Sequence, residues 1–300
     1  MGLVALLDFA VGEELISERP LVVLAGTEFE PQYCDSMRGA IARGAETAAV
    51  FAQLPEAQRA AVMALEDTWS PNAPTPLGIA RTNAVPLGRA LSSAPSRSAL
   101  FALTCRMNHA CKANALYVWR EDLERELVFA MRPIAAGDEI TVSYQHRYAP
   151  RAARQAALAV GFNFDCRCAA CAEHCAAPSD QASSDARMRE LQDLVDAVPR
   201  VGYRDQASAL AMCERALQLM AEEGVDTPAD TGCIHHDAFQ MASALGEGAR
   251  ARAHIDAACL CAAQCEGATS ALTREYTAIA DGLGRSCNAP LRRRSSLPQR

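Results

Sequence analysis

Alternating apolar and polar positions occupy the first part of the chain and predict short β-strands. The segment up to about Leu24 alternates well enough for one or two strands, because successive side chains of a strand point to opposite faces. Leu116–Trp119 and Leu127–Met131 indicate a strand pair joined by a charged connection, 120–126, and Glu139–Tyr144 indicates a further strand. We therefore expect small sheets in this half of the chain.

A helical spacing of apolar residues interrupts these strands. Between Pro31 and Trp69, apolar residues recur every three or four positions and predict two helices, the second beginning at about Pro55. Asn72–Gly78 is rich in turn-forming residues and predicts a loop. Farther on, the alanine-rich segment Arg151–Val160 predicts a helix that leads into a cluster of cysteines.

The last third of the chain has a helical pattern. From Met188 to about Ala280, several amphipathic helices are separated by breaks rich in glycine and proline. Two helix pairs of about tetratricopeptide size fit this length, although the segment contains no strict repeat. The preceding segment 176–186 is rich in Ala, Ser, Asp and Pro and predicts a linker. The final residues from Leu291 are basic and predict a disordered tail.

Composition and charge restrict the class of protein. Of the 300 residues, 50% are hydrophobic and 22% are charged, which is typical of a soluble globular protein, and no apolar run approaches a bilayer span. Without a signal-peptide pattern, the 13 cysteines are expected to be reduced thiols or metal ligands in an intracellular protein, cytoplasmic or nuclear. The net charge of −7 favours a basic protein partner over nucleic acid, and we expect a monomer without membrane contact.

Three cysteines with the spacing Cys166-x-Cys168-x-x-Cys171 predict a metal site. They bring three thiolates together within a short stretch of backbone, which supplies three of the four ligands of a tetrahedral zinc site. The fourth ligand has two sources in the sequence. Cys175 (or His174) would close a small local loop, whereas Cys111 would join this segment to a distant part of the chain. The spacing alone leaves both arrangements open, as well as the absence of a metal.

The residues around these cysteines resemble the SET-domain family of lysine methyltransferases. Five segments occur in the family's order across residues 2–171, and the ordered set is far more specific than any one of them. They are Gly12-Glu-Glu-Leu-Ile16 with Glu18-x-Pro20-Leu21, Gly78-Ile-x-x-Thr-Asn-Ala84, Arg106-Met-Asn-His-Ala-Cys-Lys-Ala-Asn114, Gly137-Asp-Glu-Ile-Thr-Val-Ser-Tyr144 and Phe162-Asn-Phe-Asp-Cys-Arg-Cys-x-x-Cys171. The last of these is similar to the post-SET tail of the SET-and-MYND branch.

The resemblance implies an α+β fold of the SET type, in which a β-clip of small sheets carries a helical insert. Residues 78–84 would then form the strand that leads into the Asn-His loop. The implied organisation is a SET domain at 1–149 with its insert at about 31–70, a post-SET helix and zinc-binding cysteine cluster at 150–175, the linker at 176–186, a tetratricopeptide-like helical region at 187–290 and the basic disordered tail at 291–300.

The resemblance also implies an activity, the S-adenosylmethionine-dependent methylation of a lysine side chain in a protein or peptide. Tyr144 falls on the position of the catalytic tyrosine, and Phe162 falls on a position that lines the lysine channel. The implied cofactor contacts are Gly2, Asn83, Asn108, His109, Tyr144 and Phe164. The implied zinc ligands are Cys111, Cys166, Cys168 and Cys171, so that the resemblance favours Cys111 over Cys175.

Several positions depart from the family pattern. The family begins with Gly-x-Gly, and Gly2-Leu3 aligns with its second glycine, so we expect an incomplete cofactor loop at the start of this chain. Phe162 stands where the family often has tyrosine, and no MYND-type zinc finger is recognisable in the sequence. Two other functions therefore have to be weighed. One is a degenerate SET domain that serves as a non-catalytic binding or scaffold module, and the other is a zinc-stabilised helical-repeat adaptor.

Overall fold

Short strands build three small sheets in the first half of the protein, within a computed structural model that describes residues 2–25, 37–87, 97–144, 148–172 and 178–283. The strands are β1 (Leu3–Val4), β2 (Glu14–Glu18), β3 (Val22–Ala25), β4 (Val85–Leu87), β5 (Arg97–Leu100), β6 (Asn108–His109), β7 (Ala115–Arg120), β8 (Arg125–Ala130) and β9 (Glu139–Val142). Their spatial orders are β1-β9-β6, β2-β8-β7 and β3-β5-β4. The predicted fold class, small sheets combined with helices, is confirmed.

The predicted strand pair corresponds to β7 and β8, which pair antiparallel from Ala115 opposite Ala130 to Arg120 opposite Arg125. The strand predicted at 139–144 is β9, which ends two residues earlier than expected. Strand β6 lies parallel to β9, with His109 opposite Val142. This pairing brings the Asn-His segment against the strand that leads to Tyr144.

Two helices fill much of the predicted insert, as expected from the apolar spacing: α1 (Met37–Ala52) and α2 (Glu56–Met63). Phe51 and Val62 are buried on their inner faces and pack in one core with Val22 of β3 and Leu100 of β5. The insert therefore covers the β3-β5-β4 sheet. Residues 26–36 lie outside the described part of the chain.

The strand expected at 78–84 is wrong, because these residues belong to helix α3 (Pro76–Asn83). Thr75 caps this helix by accepting a hydrogen bond from the Gly78 N–H, and Pro76 occupies the first turn, where its missing N–H costs nothing. A β-carbon at Gly78 would lie 2.1 Å from an oxygen of Asp67, so the close approach of this carboxylate requires glycine. The Thr75-Pro76 pair is a helix start signal that was present in the sequence, but the family pattern led to the expectation of a strand.

Helix α4 (Arg151–Phe162) matches the predicted alanine-rich helix. It ends because Asn163 adopts a left-handed conformation with φ of 57°, which asparagine tolerates better than most residues. The Asn163 side-chain amide also donates to the Thr68 carbonyl oxygen at 2.6 Å. The turn directs the chain from α4 into the loop that carries Cys166, Cys168 and Cys171, the cysteine loop.

The linker predicted at 176–186 is wrong from residue 178 onward, where helix α5 (Pro178–Val201) begins, while 176–177 lie outside the described residues. Polar side chains of this stretch have partners in the fold: Ser184 and Arg187 both bond to the buried carboxylate of Glu223. Asp185 accepts a hydrogen bond from the Arg151 N–H at the start of α4. A segment whose composition is typical of linkers is thus held in a helix by tertiary contacts.

Four further helices complete the described C-terminal part: α6 (Gln206–Glu223), α7 (Pro228–Ala244), α8 (Gly248–Glu266) and α9 (Ala271–Gly282). Each helix from α5 to α9 packs on the next and contributes to one apolar core. The structure thus confirms the predicted helical region, whereas the tetratricopeptide-like repeat and the domain boundaries remain predictions. Residues 284–300, which include the predicted basic tail, lie outside the described residues.

Helix α8 packs against the sheet formed by β2, β8 and β7. Arg120 donates to the Glu266 carbonyl oxygen at 3.1 Å, and Cys265 contacts Met131. Gly12 has a φ of 86°, and a β-carbon there would meet Gln264 of α8 at 2.9 Å, so both conformation and contact require glycine. Across the described ranges, no helix combines the length and apolar character needed to cross a membrane.

Glu126 of β8 is fully buried, and among the described residues neither of its carboxylate oxygens has a hydrogen-bond partner. Its neighbour across the sheet, Glu18, accepts hydrogen bonds from the backbone N–H groups of residues 102–104. Burial, together with the smaller effect of the Glu18 charge, raises the pKa of Glu126 to about 8. The carboxyl of Glu126 is therefore neutral at physiological pH in the folded protein.

We expect Glu126→Gln to stabilise the protein more at pH 8 than at pH 5, by about 2 to 3 kcal/mol. The folded-state pKa of Glu126 lies above its unfolded value, so protonation favours folding, and stability is lost as the pH rises from about 4.5 to about 8. The glutamine variant cannot ionise and escapes this loss. Urea unfolding of both proteins at the two pH values measures the difference. The exposed Glu14→Gln change is the control, and an equal effect at both pH values for Glu126→Gln would contradict the prediction.

Candidate functional site

Four cysteines, three from one short loop and one at least 55 residues earlier, come together at the end of α4. The sulfur atoms of Cys111, Cys166, Cys168 and Cys171 all lie within 4.8 Å of one another, and Cys111 is 3.4 Å from Cys171 and 3.9 Å from Cys166. Tetrahedral zinc with Zn–S bonds of about 2.3 Å requires sulfur–sulfur separations of about 3.8 Å. The four thiols therefore have the number, chemistry and spacing of a metal site. Cys175, the alternative fourth ligand, lies outside the described residues.

Backbone hydrogen bonds shape this cysteine loop. The Cys168 carbonyl oxygen accepts from the N–H groups of Cys171 and Ala172, and the Cys111 N–H donates to the Cys168 sulfur at 3.4 Å. The pKa of Cys168 is lowered well below its usual range because the thiols of Cys111 and Cys171 donate to it. Burial raises the pKa of Cys166 to about 11. A divalent cation would displace the remaining protons and let all four sulfurs act as thiolates.

Arg154 of α4 is a member of this site that the sequence analysis missed. Its side chain is buried, with one guanidinium nitrogen 3.9 Å from the Cys171 sulfur and another donating to the Ala149 carbonyl oxygen at 2.6 Å. Its positive charge offsets the negative charge of the thiolates. The available signal was an arginine four residues before Leu158, on the buried face of the helix that leads into the cysteine cluster.

Aromatic rings surround Tyr144 next to the cysteine loop. The ring centroid of Tyr144 lies 4.9 Å from that of Phe162, 5.3 Å from that of His109 and 6.4 Å from that of Phe164. The two phenylalanines come from the end of α4 and the start of the cysteine loop. Because the same short segment carries Cys166 and Cys168, the position of these rings depends on how the cysteine loop is held.

The hydroxyl group of Tyr144 donates a hydrogen bond to the carbonyl oxygen of Met107, the residue before β6. Burial raises the pKa of this phenol above its usual value. The hydroxyl is therefore protonated at physiological pH, and its lone pairs remain available to a donor. The arrangement can orient an amine beside the phenol oxygen.

His109 connects Tyr144 with the cysteine cluster. Its Nδ1 accepts a hydrogen bond from the Tyr144 backbone N–H at 3.0 Å, and its Nε2 lies 3.4 Å from the Cys111 sulfur. Burial lowers the pKa of His109 to about 4, so the ring is neutral. Since a backbone N–H can only donate, the single ring proton resides on Nε2 and points to Cys111. One imidazole thus fixes a cysteine ligand and the backbone of Tyr144 at the same time.

Gly2 and Asn108 meet at the edge of the β1-β9-β6 sheet. The Asn108 side-chain amide donates to the carboxylate of Glu139 at 2.6 Å. A β-carbon at Gly2 would lie 2.1 Å from a Glu139 oxygen and 2.6 Å from the Asn108 amide nitrogen, so a larger residue there would displace the ends of these two exposed side chains. The sequence analysis did not single out Glu139, although its motif contains it. The structure thus brings Gly2 and Asn108 together, with Glu139 as an additional member.

Asn83 has a different environment from the other expected cofactor residues. Its side-chain amide is buried and donates to the carbonyl oxygens of Glu66 and Ile79, at 2.7 and 2.8 Å. The backbone carbonyl oxygen of Asn83 accepts a hydrogen bond from the Cys105 thiol. Within the described residues, no hydrogen bond or ring contact joins Asn83 to His109 or Tyr144. These bonds tie α3 to its surroundings and use both amide hydrogens.

A small cleft lies beside Cys111, where the first half of the protein meets α7. Its walls come from both parts of the chain, and Arg132 ties them together by donating to the Gly224 carbonyl oxygen. The lining residues are Cys111, Lys112, Ala113, Ala115, Met131, Arg132, Ser143, Val225, Thr227 and Asp230. The helical region therefore forms one wall of a cleft next to the cysteine site.

Comparison with known proteins identifies the class that this geometry represents. The paired β6 and β9 strands, the Asn-His segment and Tyr144 all lie within residues 1–145, which match the SET domain family. Residues 1–145, just under half of the chain, thus match a SET domain, as the four motifs within them indicated, while the fifth motif at 162–171 lies outside the match. The resemblance found in the sequence is confirmed.

Individual relatives indicate a reaction class for this domain. The chain is 35% identical over 82 residues to the histone-lysine N-methyltransferase set5 of Schizosaccharomyces pombe, a match that covers 27% of this chain and 26% of the relative. It is 37% identical over 90 residues to the histone-lysine N-methyltransferase ATXR2 of Arabidopsis thaliana, with 29% and 19% covered. A SET and MYND domain-containing protein of Dictyostelium discoideum is 35% identical over 81 residues, with 27% and 23% covered. The matches span about a quarter or less of these relatives, and they support a lysine methyltransferase role at the level of the family.

Proposed function

We propose that this protein transfers a methyl group from S-adenosylmethionine to a lysine side chain of a protein substrate. The observation that carries the proposal is the environment of Tyr144, whose phenol is protonated, bonded to the Met107 carbonyl oxygen and enclosed by Phe162 and Phe164. The names of the relatives, which are histone-lysine methyltransferases, support the same reaction class. The net charge of −7 suits a basic substrate, and an intracellular location, nuclear or cytoplasmic, agrees with such a substrate.

The acceptor lysine has to lose its proton before it can react, because its ordinary pKa is about 10.4. An aromatic channel removes water from the ammonium group and lowers its pKa. The phenol oxygen of Tyr144 and the carbonyl oxygen of Met107 then act as acceptors that orient the neutral amine. Since the Tyr144 proton is already engaged, this phenol positions the amine and does not act as a base.

The cofactor supplies an electrophilic methyl group on a positively charged sulfur. We propose that Gly2, Asn108 and His109 contact it at the β1-β9-β6 sheet, where Gly2 is partly exposed and its missing side chain lets a ligand approach the backbone. Phe164 offers a ring face for the adenine from the side of the cysteine loop. Asn83 contributes through the position of α3, because its amide hydrogens are used within the fold.

We further propose that the four cysteines hold a structural zinc ion. Their sulfur separations fit a tetrahedral ZnS4 shell, and all four protein ligands together leave no position open for catalysis. The ion would hold the segment that carries Phe162 and Phe164 over Tyr144. Phe162 has no hydroxyl to anchor a water or the amine, so we propose that this position affects how many methyl groups are added.

The proposal is tested by incubating the protein with zinc, radiolabelled S-adenosylmethionine and a lysate of its own cell type. We expect the label on lysine after acid hydrolysis of a substrate protein. A separate calorimetric titration with S-adenosylhomocysteine measures cofactor binding. Label on another residue, or no transfer by a protein that binds the cofactor and contains zinc, would overturn the proposed reaction.

A non-catalytic binding module is the second candidate, and the internal use of the Asn83 amide favours it, since one expected cofactor contact is then indirect. This candidate predicts no cofactor binding in the calorimetric titration, together with binding of a protein partner. An adaptor that works through α5–α9 is distinguished by its partner binding, which would persist when a substitution at Asn108 abolishes cofactor binding.

A further inference from the structure

Two histidines face each other between α7 and α8, away from the cysteine cluster. The Nδ1 atoms of His235 and His254 lie 3.1 Å apart, with their ring centroids separated by 5.4 Å. Both side chains are partly buried, so solvent can reach the pair. We propose that this pair binds a divalent transition-metal ion, distinct from the zinc proposed at the cysteines.

The distance between the two nitrogens supports this proposal. A metal ion bound to two imidazoles at about 2.0 to 2.1 Å requires a nitrogen–nitrogen separation of about 2.9 Å for right-angled ligands and about 3.4 Å for tetrahedral ones. The observed 3.1 Å lies between these values. In the absence of a metal, one ring has to turn its proton toward the other to form an N–H···N hydrogen bond. An ion that replaces this proton lies off the line between the two nitrogens, so the two rings turn slightly to bind it.

The chemistry of the pair defines the class of metal. Neutral imidazole is a preferred ligand for Zn²⁺, Cu²⁺ and Ni²⁺ and a poor one for Mg²⁺ or Ca²⁺. Glu214 of α6 and Arg250 of α8 form an ion pair, and both lie near enough to His254 for their charges to act on it. Their opposite charges largely cancel at a bound ion. Because the chain provides two imidazole ligands, water completes the coordination, and the affinity is expected to be lower than at the four cysteines.

His236, which follows His235 on the same helix, provides a matched comparison. Its ring stacks on Tyr276 of α9 at 4.7 Å between centroids, with an interplanar angle of 9°. The ring also contacts Phe239. This histidine is thus part of the apolar packing, and its substitution changes the histidine content of α7 without removing either proposed ligand.

A metal bound at this pair joins two consecutive helices by a bond that the unfolded chain lacks. Binding to the folded state alone raises the stability by an amount that grows with metal concentration. The helical region would then become more resistant to unfolding when the ion is present. The effect is independent of methyl transfer, because α7 and α8 carry the pair outside the Tyr144 site.

The experiment uses the full chain loaded with zinc and dialysed against Ni²⁺, followed by measurement of bound metals and of the midpoint of thermal unfolding. We expect one equivalent of nickel in addition to zinc, and a higher midpoint with nickel. The variant His235→Gln/His254→Gln and the single variant His254→Gln should lose the nickel and the shift while they retain the zinc. His236→Gln, checked for folding by circular dichroism, should retain both metals.

Two results would overturn the proposal. Wild-type protein that binds no nickel and only a single equivalent of zinc shows that the pair is a hydrogen-bonded contact between helices. Nickel that remains bound to a folded His235→Gln/His254→Gln variant shows that other groups, such as the free cysteines, bind it. Neither result bears on methyl transfer, which is measured separately.

Discussion

Replacement of Tyr144 by phenylalanine is expected to lower kcat for methyl transfer by about 100-fold or more, the size typical of losing one positioned polar group at a reacting centre. The variant keeps the ring that packs with Phe162 and His109 but loses the oxygen that accepts from the amine. It also leaves the Met107 carbonyl oxygen without its donor, at a cost to stability of about 1 kcal/mol. Cofactor affinity should change little.

The measurement is a steady-state assay with labelled S-adenosylmethionine, together with calorimetric titration of S-adenosylhomocysteine. Tyr203→Phe is the matched control, because this tyrosine is 68% exposed on the helical region and loses the same hydroxyl group. Wild-type kcat in the Tyr144→Phe variant would show that Tyr144 is a packing residue. Loss of cofactor binding would show that the substitution disturbs the site as a whole.

The second large effect is expected from Cys111→Ser, which removes the sulfur that joins the β6 region to the cysteine loop. We expect the bound zinc to fall from one equivalent to well below one, and methyl transfer to fall with it. Structural zinc sites contribute on the order of 10 kcal/mol to the folding of small domains, so the loop that carries Phe162 and Phe164 should lose its order. Metal analysis and thermal unfolding measure these changes.

Cys175→Ser is the control that separates the two arrangements of the metal site. The long-range arrangement predicts that this variant retains its zinc, because Cys111 completes the shell with Cys166, Cys168 and Cys171. A zinc content that falls in Cys175→Ser and stays at one equivalent in Cys111→Ser would support the local loop. Because His109 contacts both Cys111 and the backbone of Tyr144, loss of zinc should also change the tyrosine site.

Much of the fold follows from local patterns in the sequence. The short apolar runs at 116–119 and 127–131, on either side of a charged connection, predict β7 and β8, because runs of this length are typical of buried strands. The apolar spacing between residues 31 and 69 predicts α1 and α2, and the alanine-rich stretch predicts α4. These elements are determined by interactions between residues close in sequence.

The errors arose where distant contacts outweigh local composition. The linker predicted at 176–186 is helical from Pro178 because Ser184 and Arg187 find a buried carboxylate 39 and 36 residues away. The expected strand at 78–84 is α3, whose start was encoded by Thr75 and Pro76 but was outweighed by the family pattern. Glu126 was predicted to lie in the charged connection 120–126, but it belongs to β8 and is fully buried without a hydrogen-bond partner among the described residues, which no local pattern indicates.

The sequence by itself determined the SET domain and its candidate chemistry, because the motifs around Asn108, Tyr144 and Cys166 each depend on residues within a few positions of one another. Only the tertiary structure decided which distant groups meet. It brought Cys111 to three cysteines 55 to 60 residues away, turned the His109 proton toward that sulfur and placed His235 against His254. The physical reason is that sequence spacing limits the geometry of a single turn or strand, whereas contacts between elements depend on how their buried faces pack.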